Sequence, residues 1–155
     1  MCGIIGFNWR DKELVTRLNC LLAHRGPDQD GVFCDDSVSL AHRRLSILDL
    51  SAKGIQPMAD EKGSLRIVFN GEIFNYRELR EELLKKGYHF NSNTDTEVVL
   101  YLFREDGPRM LERLNGQFAF CIYDQVKQEL FLARDRVGIL PLFYYFDGKN
   151  LVELN

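Results

Sequence analysis

The stretch Phe118-Ala119-Phe120-Cys121-Ile122-Tyr123 is apolar or small at every position. Side chains alternate across a strand, so such a run can be a strand only where both faces of its sheet are covered. A second stretch, Val98 to Phe103, is apolar nearly all round and follows Thr94-Asp95-Thr96-Glu97. Thr with Glu three positions on is a capping box, so these residues read as a helix start and the helix as buried on several sides. A doubly covered sheet and an engulfed helix in one chain call for stacked layers.

The remaining segments supply those layers. Gly3 to Trp9 reads as a buried strand. Leu14, Leu18, Leu21 and Leu22 predict an amphipathic helix over 11–23 with one buried stripe. Val32 to Cys34 and Val38 to Ile47 read as a hairpin around Asp35-Asp36-Ser37, and Ser51 to Gly63 as a loop. Leu65 to Phe69 is a strand running into the turn-prone triplet Asn70-Gly71-Glu72. Asn75 and Glu78 predict another capped helix, with Tyr76, Leu79, Leu83 and Leu84 on its apolar face and Gly87 at its end. Gly107-Pro108 ends the buried helix, and a short helix through Met110, Leu111 and Leu114 follows. Gln117 to Tyr123 and Glu129 to Asp135 pair, and Leu142 to Phe146 and Leu151 to Leu154 are further strands. The fold class is α+β: two packed antiparallel sheets covered by helices, in one domain over residues 1–155.

Twenty basic against 23 acidic residues leave a net charge of −3. That balance carries no footprint for nucleic acid and no polybasic membrane patch. No apolar run reaches the length of a membrane span, and the first residues lack the pattern of a secretory signal, so the chain reads as cytoplasmic. The four cysteines, Cys2, Cys20, Cys34 and Cys121, fit no zinc or CxxC spacing and are expected as free thiols. Cys20 and Cys121 read as core residues and Cys34 as an incidental strand residue. Cys2 differs by its address. With Met1 removed it carries both a thiol and an α-amine, which titrates at roughly pH 7.7–8.0 and can serve as the adjacent base.

Six segments then carry a resemblance: Met1-Cys2-Gly3-Ile4, His24-Arg25-Gly26-Pro27-Asp28, His42-Arg43-Arg44-Leu45-Ser46-Ile47, Asn70-Gly71-Glu72-Ile73-Phe74-Asn75, Thr94-Asp95-Thr96-Glu97 and Ala133-Arg134-Asp135-Arg136. In order and spacing they resemble the glutaminase domain of glutamine-dependent asparagine synthetases. That domain is a class II glutamine amidotransferase on the N-terminal-nucleophile hydrolase fold, a four-layer α/β/β/α sandwich. The resemblance runs from residue 1 to about residue 149.

It implies hydrolysis of L-glutamine through a γ-glutamyl thioester on Cys2, with ammonia passed to a synthetase domain in cis or in trans. Residues matching family positions are Asn70 and Gly71 as oxyanion donors and Arg44 as the partner of the α-carboxylate. Asp95 matches the partner of the α-ammonium, and Leu45, Ser46, Ile47, Leu48 and Glu72 match the glutamine-pocket lining. The residue types suit that chemistry, since a guanidinium fork matches a carboxylate and preorganised donors stabilise charge developing on an amide oxygen. On the residues alone, Arg44 could equally be a surface charge, Asn70-Gly71 an ordinary turn and Asp95 a helix-dipole partner. His24 and His42 read as structural, and Arg25 and Asp28 as braces of the nearby loop.

No cofactor is expected, since ATP and Mg belong to the synthetase reaction and no phosphate-binding glycine loop occurs. Homo-oligomerisation stays open. Two departures from the family stand out. Leu140 occupies a position where the family usually has Lys, and the family's Ser-Glu segment and helix after the last strand are not found, so the domain reads as incomplete at its C-terminus. The amidophosphoribosyltransferase-type and glucosamine-phosphate-synthase-type glutaminases are the runners-up within the enzyme class. Outside it, the alternative is a non-catalytic glutamine-binding or interaction module.

Overall fold

A computed structural model describes residues 1–155. Nine strands form two sheets, antiparallel at every pairing. The first contains β1 (Gly3–Phe7), β2 (Gln29–Cys34), β3 (Ser39–Arg44), β8 (Phe143–Phe146) and β9 (Leu151–Leu154), in the order β2-β3-β1-β9-β8. The second contains β4 (Met58–Ala59), β5 (Leu65–Ile73), β6 (Gly116–Asp124) and β7 (Glu129–Arg134), in the order β4-β5-β6-β7. Helix α1 (Lys12–Leu21) covers the first sheet, and α2 (Tyr76–Lys85) and α3 (Asp95–Asp106) cover the second.

Period-2 alternation builds the layers. In β1, Ile5 and Phe7 face α1 and pack with Val15 and Ala41, whereas Ile4 faces inward. In β5 and β6, Ile67, Phe69, Phe118, Phe120 and Ile122 join the helices in an 18-residue cluster. Their alternates Val68, Cys121 and Tyr123 meet Ile4, Val38 and Leu40 between the sheets. The all-apolar run thus has a covered face on each side, as its composition requires. Helix α3 is buried continuously from Asp95 to Leu102, and Gly107 at φ 57° ends it.

Several local expectations need correction. Asn70-Gly71-Glu72 is not a turn but the interior of β5, in register with Ala119, Phe118 and Gln117. The close approach of β6 requires the glycine: at φ 157°, a Cβ on Gly71 would meet the Gln117 carbonyl and lie 2.7 Å from Phe118 Cα. Strand β3 stops at Arg44 instead of reaching Ile47, and the 51–63 loop contains a 3₁₀ turn at Ala52–Gly54 and the short β4. Asn75 does not cap α2 through its side chain. That amide donates to Arg113 O at 2.9 Å and accepts from Asn115 N at 3.0 Å, partners far along the chain that outcompete the local cap. The stripe of α1 is rotated: Val15 and Asn19 are buried, whereas Cys20 and Leu21 are exposed. Leu84 is likewise exposed on α2. Cys121 is fully buried as expected.

The two sheets are unequally protected. Helix α1 lies over β1, β2 and β3, while β8 at the far edge leaves Phe143, Tyr144, Tyr145 and Phe146 all exposed. Beside it, Glu153 of β9 is fully buried and neither carboxyl oxygen has a hydrogen-bond partner. Burial pushes its carboxyl up to about 8.

Candidate active site

A cleft with about 690 Å³ of empty space, open to solvent on one side, lies where the two sheets meet. Met1 and Cys2 enter it from the start of β1, and Arg44, Leu45, Ile47 and Leu48 from the end of β3 and the loop after it. Asn70, Gly71 and Glu72 come from β5, and Asp95 from the first turn of α3. Segments from Met1 to Leu140 therefore converge, and of the sequence-derived site residues only Ser46 lies outside the lining. Its backbone N–H is instead held by Asp28 Oδ2 at 2.7 Å, which braces the loop from behind. Arg25 reaches the far end of the chain, donating to Asn155 Oδ1 at 3.3 Å.

Cys2 is half-buried. Its sulfur accepts a hydrogen bond from Leu45 N at 3.4 Å. Burial pushes the thiol up, and the Leu45 donor and the nearby positive charges of the chain's amino end and Arg44 only partly oppose this. The resting group is a thiol, so a base must take its proton before it can attack.

Asp95 is buried and accepts a hydrogen bond from Ile73 N at 2.9 Å. Burial raises its carboxyl to about 6, and the charge of Glu72 adds to that rise. Two carboxylates thus meet on one side of the cleft, an arrangement that a cation entering between them would relieve.

Arg44 is buried and makes no ion pair. Its Nη1 donates to Gln29 Oε1 at 2.6 Å and to Ser51 O at 3.2 Å; its Nη2 donates to Leu48 O and Asp49 O, each at 2.7 Å. The guanidinium lies flat on Gly54, where any side chain would collide with it. Arg44 therefore shapes the 48–51 segment while facing the cleft, a second role that its sequence position did not announce.

Asn70 is buried, and its Nδ2 donates to Asn155 Oδ1. His42 is fully buried with Nε2 donating to Phe69 O at 3.0 Å, which ties the two sheets together, and burial lowers its ring to about 3. It is neutral and outside the cleft lining; His24 is exposed and also outside that lining. Asp135 of the Ala133-Arg134-Asp135-Arg136 segment accepts from Ile139 N at 2.8 Å and Leu140 N at 3.0 Å, which sets Leu140 into the cleft wall. Sequence reasoning missed Gln56, Thr96 and Gln117 in the lining. Thr96 shares a helical turn with Asp95 and was within reach of that signal; Gln56, in a polar loop, offered none.

The family model for the glutamine amidotransferase domain matches residues 1–153. Asparagine synthetase [glutamine-hydrolyzing] 1 of Bacillus subtilis is 45% identical over 152 residues, covering 93% of this chain and 24% of the relative. Asparagine synthetase B [glutamine-hydrolyzing] of Escherichia coli is 40% identical over 153 residues, covering 95% of this chain and 27% of the relative. The chain thus spans about a quarter of the length of these curated relatives. Among solved structures, glutamine phosphoribosylpyrophosphate amidotransferase of B. subtilis superposes with a TM-score of 0.82 at 22% identity, covering 99% of this chain and 41% of that one. At that identity the likeness establishes the fold: two antiparallel sheets flanked by helices. No helix is long and apolar enough to cross a membrane.

Proposed function

The chain belongs to the glutamine amidotransferase domain family, and from that premise we propose that it hydrolyses L-glutamine with Cys2 as nucleophile and releases ammonia to an asparagine-synthetase-type amidation. The observation that carries this reading is the convergence in one cleft of Cys2, Asn70, Gly71, Asp95 and Arg44.

The roles follow from charge. The substrate's ammonium settles at Asp95, with Glu72 nearby, and its arrival holds Asp95 in the carboxylate form. The α-carboxylate lies at Arg44. That contact requires the carbonyls of residues 48–51 to yield part of the guanidinium, so binding is coupled to the loop formed by Leu45, Ser46, Ile47 and Leu48. The α-amine of Cys2, free once Met1 is cleaved, takes the thiol proton. Sulfur attacks the side-chain amide carbon, and the resulting oxyanion accepts from the Asn70 side chain and the Gly71 backbone N–H. The same amine returns the proton to the leaving nitrogen; ammonia departs and a thioester remains, which water hydrolyses to glutamate. Met1 is 61% exposed at the cleft, within reach of a processing peptidase.

This half-reaction needs no cofactor. ATP and Mg belong to the amidation, carried out by a synthetase domain or subunit that receives the ammonia. The test is glutamate release from L-glutamine by protein whose intact mass shows that it begins at Cys2. Cys2→Ala should reduce the rate by more than about a thousandfold, as loss of a nucleophile does, and full activity in that variant would overturn the reading.

A further inference from the structure

Asn155, one residue past β9, is 3% exposed and does not line the cleft, yet its backbone N–H and both ends of its side-chain amide are committed. Its backbone N–H donates to Ile4 O at 3.1 Å, two residues beyond the nucleophile. Its Nδ2 donates to Pro141 O, and its Oδ1 accepts from both Asn70 Nδ2 and Arg25 Nη2.

This pattern has one consistent orientation. A main-chain carbonyl can only accept, so Asn155 must turn its nitrogen to Pro141 and its oxygen to Asn70. Arg25 can only donate, and it occupies the same oxygen. Asn70 must then answer with its nitrogen. The two ends of an Asn amide have nearly the same shape, so packing alone chooses weakly between them; here the hydrogen bonds choose. The nitrogen carries two N–H bonds, and one stays available beyond the bond to Asn155. Reversal of the Asn70 amide would present oxygen to oxygen, both to Asn155 and to an oxyanion.

We propose that Asn155, fixed by Pro141 and Arg25, is the positioning residue that holds the Asn70 amide in its donor orientation for the oxyanion. The inference rests on the glutaminase reading. It adds a residue outside the cleft, and a link: the Asn155 backbone is tied to β1, which carries Cys2, while its side chain is tied to β5, which carries the oxyanion donors.

The experiment compares wild type with Asn155→Ala, Asn155→Leu and Asn155→Asp, each beginning at Cys2. Three quantities are read: kcat and KM for glutamine hydrolysis, and the rate at which iodoacetamide alkylates Cys2. That displacement develops no oxyanion, so it reports the nucleophile and its surroundings alone. Ala and Leu remove the acceptor and should lower kcat about 10- to 100-fold, toward the loss seen on deleting one oxyanion donor, with KM within about twofold and alkylation unchanged. Asp keeps an acceptor for Asn70 but sets oxygen against the Pro141 carbonyl, so its kcat should fall less than in Ala and Leu. Wild-type kcat in Ala and Leu overturns the proposal, as does a fall in kcat accompanied by a raised KM and slower alkylation, which would mark a purely structural role. If both fail to fold, Arg25→Met must show the same kcat-selective loss, and its absence overturns the proposal equally. A wild-type protein that releases no glutamate removes the glutaminase reading itself, a result separable from all of these.

Discussion

The two sheets each supply half of the candidate site, and they are built to different standards. The sheet β4-β5-β6-β7 carries Asn70 and Gly71, and α3 packed on it carries Asp95; behind them stands the 18-residue cluster. The sheet β2-β3-β1-β9-β8 carries Cys2 and Arg44; it packs on α1 through a cluster of four buried residues, shares a six-residue cluster with the other sheet, and ends in an exposed aromatic strand beside an unpartnered carboxyl. The groups proposed to receive charge sit on the well-packed side. The proposed nucleophile sits on the thinner side but just before its third strand, with β3 and β9 hydrogen-bonded to either edge of β1. Precision at the cleft thus depends on local pinning as much as on the depth of the core.

The sharpest way to break this contrast is truncation on each side. Phe120→Ala, in the middle of the large cluster, should cost about 3–5 kcal/mol in denaturant unfolding. Tyr145→Ala, on the open edge, should stay within about 0.5 kcal/mol. Comparable losses would mean that the edge is covered in solution.

The next effect concerns Glu153. Its carboxyl is raised from 4.5 to about 8, so the folded state holds a proton that the unfolded chain releases. Stability from this group is complete below about pH 4.5 and is lost as pH rises toward about 8. Asp95, raised to about 6, contributes with the same sign but at lower pH, and His42, lowered to about 3, matters only below its ordinary 6.5. Between pH 6.5 and 8 the slope therefore belongs to Glu153. Glu153→Gln should remove a decline on the order of a few kcal/mol across the full range and flatten thermal unfolding in that window. An unchanged slope would show that Glu153 finds a partner.

The smallest effect lies at the well-packed half of the site. Asp95 must be ionised to hold an ammonium, so kcat/KM for glutamine should fall as pH drops through about 6. Asp95→Asn should lower kcat/KM roughly 10- to 100-fold, the worth of a charged hydrogen bond, and abolish that acidic limb. An acidic limb that persists in the variant would assign it to another group.

The same division governs what could be read from the sequence. Where packing is dense, composition speaks plainly: the unbroken apolar runs of β6 and α3 announced covered faces, and both are covered. Where a residue answers to distant partners, local rules mislead. Asn70-Gly71 carries a turn signal, but β6 lies alongside and the pair stays extended. Asn75 has the chemistry of a cap and spends it on Arg113 and Asn115. Leu21 and Cys20 fell on the wrong side because Val15 and Asn19 set the phase of α1. The family pattern named the cleft residues, yet neither the carbonyls wrapped around Arg44 nor the Asn155 contact to Asn70 has any signature in a linear chain, since both exist only once loops and strand ends have met.

The missing side chain at Gly71 has a consequence for how such a site can drift over generations. A donor provided by a side chain disappears with one substitution, and its loss is visible in the sequence. A main-chain N–H is present in every residue except proline, so no other substitution deletes the donor assigned to Gly71. It can only be displaced, by any Cβ that drives β5 away from Phe118. Half of the proposed oxyanion machinery is therefore inherited as vacant volume, and a lineage that abandons glutamine hydrolysis can leave Asn70 and Cys2 in place and still be betrayed by what fills that space.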